Sequence, residues 1–289
     1  MWSRGLRRVL VAWTCAVGAV SAQSLPGSAT APAAEPAAPA LPDGNELVRS
    51  MVDRQRSFEK ELDRYTYDVL VTQDDLDGQG RVKQRHARRY EVMFVGHRQV
   101  RKLVEEDGRP LTAERLEKEE RRAREEAEKA ARSATPNEKD EEQAALRISE
   151  ILRRFDFVSE ARESLDGHTA IRIAFRALPG KRHLKHDEVL RTLQGRFWID
   201  EEQRAVRRAA LSNTQSIKFG AGLLASISRL DVTLEFVPVD DIWLPRRAES
   251  SVFGRILLLK GLRRRVTEEF LNYRRFEVDT QEQLADPSR

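Results

Sequence analysis

Cysteine is nearly absent from this chain. Its one cysteine, Cys15, falls in an N-terminal stretch that reads as a cleaved leader. The mature chain is therefore expected to hold no disulfide, no thiol nucleophile and no cysteine metal ligand. Histidine is scarce too. His86, His97 and His168 stand alone, and only His183 and His186 lie close together, beside Asp187 and Glu188. That pair is the best zinc candidate, but a zinc site needs three or more converging ligands and no further cluster is evident, so no metal and no cofactor is expected. There is no phosphate loop of the GxxxxGK[ST] kind and no GxGxxG. Phe219-Gly220-Ala221-Gly222 is a lone glycine pair, the mark of a turn or bulge. Ser212, Ser216, Ser226 and Ser228 lack the surroundings of a nucleophile elbow. Asp240 and Asp241 are adjacent, so on a strand they would point to opposite faces and in a loop they would form a turn. The chain thus reads as non-enzymatic.

An excess of one charge is also missing. Lys and Arg number 51 against 47 Asp and Glu, and the net charge is +4. Without Arg4, Arg7 and Arg8 of the leader it falls to about +1. A sequence pI near 9.3 is then a weak sign of nucleic-acid binding, which needs a clustered basic surface, and no nucleic-acid partner is expected. The sequence shows no repeat of solenoid or propeller length. Its longest apolar run, Val9 to Val20, is short for a bilayer span.

What is present begins with that run. Arginines, an apolar stretch and the small-residue site Val20-Ser21-Ala22 form the layout of a secretory signal peptide over 1–22, cut after Ala22, which implies a periplasmic, exported protein. Residues 23–44 are rich in Ala and Pro and read as a linker. A helix is expected over Asn45 to Asp63, with Asn45 as its cap and Leu47, Met51, Val52, Phe58 and Leu62 recurring at helical spacing. The period then changes to two. Tyr65, Tyr67, Val69 and Val71 alternate, and strands near Arg81–Val95 and Gln99–Glu105 follow across turns at Asp77–Gly80 and Asp107–Pro110, an antiparallel meander.

Residues 112–154 differ. From Thr112 to Ala131 acidic and basic residues alternate with spacings that pair on a helix. Pro136 stops this helix, and a second, near Glu138 to Arg154, carries Leu146, Ile148, Ile151 and Leu152. The segment reads as a charged helical insertion, a solvated face or an arm for an envelope protein partner. The second half returns to strands. Phe155–Leu165 and His168–Leu178 flank Asp166-Gly167, a strong hairpin signal. A hairpin spans Gly195 to Gln215, and Leu223–Val237 alternates. Pro238 and the segment Asp240–Pro245 read as a corner, and Ala248–Phe253 and Ile256–Phe276 complete the sheet, with Gly254 and Gly261 as bends. Residues 280–289 read as a loose tail.

The fold class is therefore α+β: a strongly curved antiparallel sheet of nine to eleven strands, wrapped around one or two helices. Such a sheet must curl to hide its apolar face. If the helices fill the hollow it is only a core; if they fill it in part, a cavity remains that suits an acyl chain. Tyr65, Tyr67, Phe94, Phe175, Phe197 and Phe236 are the candidate lining residues, by strand alternation.

The hairpin GRFWIDEEQRAVRR resembles the strand–turn–strand of LolA-like and LolB-like proteins, the periplasmic lipoprotein carriers. Gly195, Trp198, Ile199, Asp200, Val206 and Arg207 match that pattern, and Asp241-Ile242-Trp243-Leu244-Pro245 with Arg246 resembles the family's next hairpin. The resemblance runs over 45–279, apart from the insertion, which is not a feature of the standard carrier. It implies a half-barrel closed by helices, located in the cell envelope, that binds lipid or the acyl chains of a lipoprotein. Two other readings stay open: an envelope interaction module, a sensor or assembly factor that works through 112–154, and a metal-dependent hydrolase at His183 and His186.

Overall fold

A computed structural model of the chain describes residues 40–51, 64–95, 98–132, 154–178, 187–219, 222–240, 242–256 and 260–275. The leader, most of the linker, the tail, the second helix of the insertion and the His183–His186 segment lie outside the described residues. So does the rest of the first helix beyond Met51.

The first helix, α1, covers residues 44–51. Its cap is Asp43 rather than Asn45: the Asp43 carboxylate accepts from the Glu46 amide at 2.8 Å and its carbonyl from the Leu47 amide, as an N-cap residue does. Asn45 is used elsewhere, joining the edge strand at Asp156 and the Phe157 amide. Both side chains have capping chemistry, and the contact with the sheet decides between them.

Strands β1 (Tyr65–Leu76), β2 (Val82–Val95), β3 (Arg98–Glu106) and β4 (Arg109–Pro110) form the expected meander, followed by the charged helix α2 (Ala113–Arg132). Then come β5 (Phe155–Leu165), β6 (His168–Ala177), the single turn α3 (Asp187–Leu190), β7 (Leu193–Asp200), β8 (Val206–Asn213), β9 (Ile217–Phe219), β10 (Ala225–Val239), β11 (Ile242–Ile256) and β12 (Lys260–Arg275). All pair antiparallel in one sheet of twelve strands, in the order β4-β3-β2-β1-β12-β11-β10-β8-β7-β6-β5, with β9 on β10. The sheet is open: β5 lies at one margin, and β3 with β4 at the other. The strand number exceeds the expected nine to eleven because β4 and β9 are too short to leave a periodic signal.

Both Asp-Gly turns behave as their chemistry requires. Asp107 and Gly108 have φ of 51° and 77°, and Asp166 and Gly167 have 51° and 80°, the doubly positive pattern of a tight hairpin. Pro238 and Pro245 do not form a corner. Pro238 pairs with Trp243 inside the β10–β11 ladder, and Pro245 pairs with Phe236 beside a bulge. The ladder of β8 with β10 stops at Glu235, and that of β12 with β11 begins at Arg247. Each proline therefore stands where its strand overhangs a neighbour and owes no second hydrogen bond.

Gly254 likewise lies within β11, opposite a bulge between Ile227 and Arg229. A Cβ there would sit 2.3 Å from the Ser226 carbonyl oxygen, so the close approach demands glycine. β11 runs unbroken to Ile256, and Gly261 lies in β12.

One face of the sheet is apolar and curls inward. Its cross-strand row Ile173–Phe197–Ala209–Leu234–Ala248–Glu268–Val71–Arg88 runs through successive ladders. The opposite face carries ion pairs, among them Arg172 and Arg196 on Glu160, each at 2.8 Å, and Arg246 on Glu235 at 2.7 Å. Helix α2 packs along β3, burying Ala123 and Ala130.

Candidate functional site

The inner face divides into two apolar clusters. The first joins Phe155, Phe157, Ile171, Ile173, Phe175 and their neighbours on β5–β8 with Leu47, Val48 and Met51 of α1 and Leu190 of α3. Phe175 and Phe197 stack at 4.8 Å between ring centres, directly over Gly195. A Cβ on Gly195 would overlap the Ala210 carbonyl oxygen at 1.5 Å and the Phe175 ring at 2.7 Å. The glycine lets two strands and a ring close to distances no other residue permits.

The second cluster joins Tyr67, Val69, Val92, Leu234, Ala248 and Phe270, with Val71, Tyr90, Phe94, Phe236 and Tyr273 packed around them. Among the described residues, every apolar member of this cluster comes from a strand. Tyr67 lies at its centre, 5.8 Å from the Phe270 ring and 5.1 Å from Tyr273.

The six candidate lining residues thus fall into two groups. Phe175 and Phe197 belong to the helix-packed half. Tyr67, Phe94 and Phe236 belong to the half lined by strands. Tyr65 is 2 % exposed, touches Tyr273 edge-on and donates its hydroxyl to Asp240 at 2.8 Å, which fixes the β10–β11 turn.

Beyond these six, strand alternation also predicts inner-face positions for Phe157, Leu234 and Phe270. Less legible are Glu268 and Arg101. Glu268 is in phase with Phe270, yet it reads as part of a charged run.

Two depressions open near these elements. One, of about 360 Å³, is lined by Thr66, Tyr67, Glu91, Val92, Met93 and Arg274, at one end of the second cluster. The other, of about 400 Å³, is polar and lined by Gly167, His168, Thr169, Asp200, Glu201 and Glu202. Two of its carboxylates, Asp200 and Glu201, already have protein partners. Asp200 is 1 % exposed. It accepts from the Glu202 and Gln203 amides at 3.1 and 2.8 Å and from Arg207 at 3.0 Å. Glu201 holds Arg162 at 2.6 Å, and that hydrogen bond draws its carboxyl below the ordinary range. This depression is the tie of the β7–β8 turn.

The residues that carry the family resemblance converge here. Arg207 lies over the Trp243 ring at 5.0 Å, and the Trp243 indole donates to Gln203 at 3.0 Å. On the outer face, the Trp198 indole donates to Glu163 at 2.9 Å. The two resembling segments form one lock between β7, β8 and β11, and their role in this geometry is structural. Among the described residues, no three His, Cys, Asp or Glu side chains gather as metal ligands would.

No family model matches the sequence, and no curated protein matches it. Solved structures are similar, among them the following three. A DUF1329 family protein from Desulfovibrio piger is 11 % identical, with 82 % of this chain and 95 % of that chain covered and a TM-score of 0.33. A LolA superfamily protein from Nitrosomonas europaea is 8 % identical, with 78 % and 94 % covered and a TM-score of 0.32. A domain from Vibrio parahaemolyticus named for outer membrane lipoprotein sorting is 9 % identical, with 83 % and 94 % covered and a TM-score of 0.37. The resemblance read from the hairpin is thus met among solved structures. Likeness at this level assigns neither family nor function, and only this chain's own residues bear on its role.

Proposed function

We propose that this protein is an exported, non-enzymatic binder or carrier of an apolar ligand, lipid or the acyl chains of a lipoprotein, in the cell envelope. The observation that carries the reading is the second inner-face cluster. An open antiparallel sheet gathers there a buried, continuous aromatic and aliphatic cluster that, among the described residues, strands alone supply. Its rings and branched chains offer dispersion contact along an alkyl chain and no group for bond-making. Each methylene moved from water onto such a surface contributes about 0.8 kcal/mol, so an acyl chain of ordinary length gains enough to be held against water. The secretory layout of residues 1–22 supports the envelope location. Tyr67, Phe94 and Phe236 are the proposed contacts in the strand-lined half, and Phe175 and Phe197 in the other.

The test is native mass spectrometry of protein purified from its own host, with titration of a phosphatidylcholine that carries a fluorescent acyl chain. Co-purifying lipid together with saturable one-to-one binding is the expected result. A protein that is both empty and unable to bind the probe overturns the proposal.

A further inference from the structure

A buried carboxylate stands on the apolar face. Glu268 is 8 % exposed, and its direct cross-strand neighbours are Ala248 on β11 and Val71 on β1. Leu234 lies one strand further along the same row, and Phe270 stands two residues on, on the same face. Its Oε1 is 3.6 Å from Arg101 Nη1, beyond hydrogen-bonding distance. Among the described residues its Oε2 has no hydrogen-bond partner. A buried carboxylate oxygen left without a donor is costly, and an apolar residue at this position would relieve that cost.

Arg101 is oriented by a relay. Its Nε donates to Gln99 Oε1 at 2.8 Å, and Gln99 Nε2 donates to the Tyr67 hydroxyl at 2.7 Å. The second cluster therefore holds a fixed cation and a fixed anion side by side. The apolar cluster lies on one side of this pair, and the unsatisfied oxygen belongs to the anion.

We infer that Arg101 and Glu268 form a head-group subsite for a zwitterionic, acylated ligand of the phosphoethanolamine class. The inference rests on the acyl-chain reading proposed above and names the ligand's polar end. The ligand's ammonium donates to Glu268 Oε2, and its phosphate meets the Arg101 guanidinium. Its chains then enter the depression lined by Tyr67, Val92 and Met93, where Val92 is the cross-strand partner of Arg101. A primary ammonium supplies the missing N–H donor. A quaternary ammonium of the same charge has no N–H and leaves the oxygen unmet.

The experiment compares phosphatidylethanolamine with phosphatidylcholine of identical short acyl chains, titrated against the full chain by calorimetry. Wild type is expected to prefer the ethanolamine lipid by about tenfold. Glu268→Gln should reduce that preference severalfold, and Glu268→Leu should abolish it while choline-lipid binding persists. Thermal melts check that both variants fold, and the leucine variant is expected to be at least as stable as wild type. If wild type binds both lipids equally, the subsite is wrong and the acyl-chain reading stands. If the preference survives in Glu268→Leu, the subsite is assigned to the wrong residue. If neither lipid binds, the acyl-chain reading itself fails.

Discussion

Replacing Asp200 by alanine should unfold this protein more readily than almost any other single change on the sheet. Asp200 and Arg207 are 1 % and 8 % exposed, so the substitution strands a guanidinium away from water. Removing one partner of a buried pair typically costs about 3–5 kcal/mol. The two turn amides that lose their acceptor belong to exposed residues, Glu202 and Gln203, and water takes them over at little cost. Stacking on Trp243 remains, but a cation over a ring returns only about 0.5–2 kcal/mol, which is already present in the wild type. The expected loss is therefore about 3–5 kcal/mol, read from urea denaturation followed by far-ultraviolet circular dichroism. Asp200→Asn keeps an acceptor for both amides and should cost less. Adding Arg207→Met to Asp200→Ala should restore part of the loss, because the stranded charge is gone. A loss under about 1 kcal/mol, the size of an exposed pair, refutes the reasoning, as does a double variant no better than the single one.

Three further outcomes are expected from the same geometry. Gly195→Ala forces a Cβ against the Ala210 carbonyl and the Phe175 ring and should cost at least the ~1–3 kcal/mol of overpacking; a melting temperature equal to wild type contradicts this. Hydrogen bonds from Arg85, Arg88, Arg196 and Arg162 respectively hold the carboxyls of Asp74, Glu106, Glu160 and Glu201 below their ordinary values. Their contribution is complete above the unfolded carboxylate pKa of about 4 and is lost as pH falls through the lower folded values. Melting temperature should therefore drop steeply below about pH 4 and show no pH dependence from these groups above about pH 6, where their contribution is complete; a flat profile down to about pH 3 counts against it. Phe236→Ala should weaken binding of the fluorescent phosphatidylcholine while Phe253→Ala, on the same sheet outside both clusters, leaves it unchanged; equal effects at the two positions argue against the inner face as the binding surface.

Much of the sheet could be read directly because half-buried strands alternate and Asp-Gly fixes tight hairpins. The β5–β6 and β7–β8 hairpins lie where Phe155–Leu178 and Gly195–Gln215 placed them. The β10–β11 turn was harder, because prolines that signal a corner in isolation are tolerated where two strands overhang their neighbours, and ladder ends are a property of the whole sheet. Capping failed by two residues for a related reason: Asp43 and Asn45 offer the same chemistry, and only the position of β5 decides which one serves the helix. The places of Phe175, Phe197, Tyr67, Phe94 and Phe236 on the inner face were legible by alternation alone. Glu268 escaped because a carboxylate in Thr267-Glu268-Glu269 looks solvated until its register with Ala248 and Val71 is known.

The two raw margins of this sheet are both occupied by the chain itself. At one, Arg122 of α2 donates to the Arg101 carbonyl and Arg115 holds Glu106 at 3.0 Å, so a charged helix lies across β3. At the other, Asn45 takes the Phe157 amide at 3.2 Å and Ser159 donates to the Pro42 carbonyl at 2.6 Å. The Arg101 carbonyl and the Phe157 amide, backbone groups that would otherwise template a foreign ribbon, are thereby spent locally. An open sheet of this kind is thereby less able to zip onto its own copies.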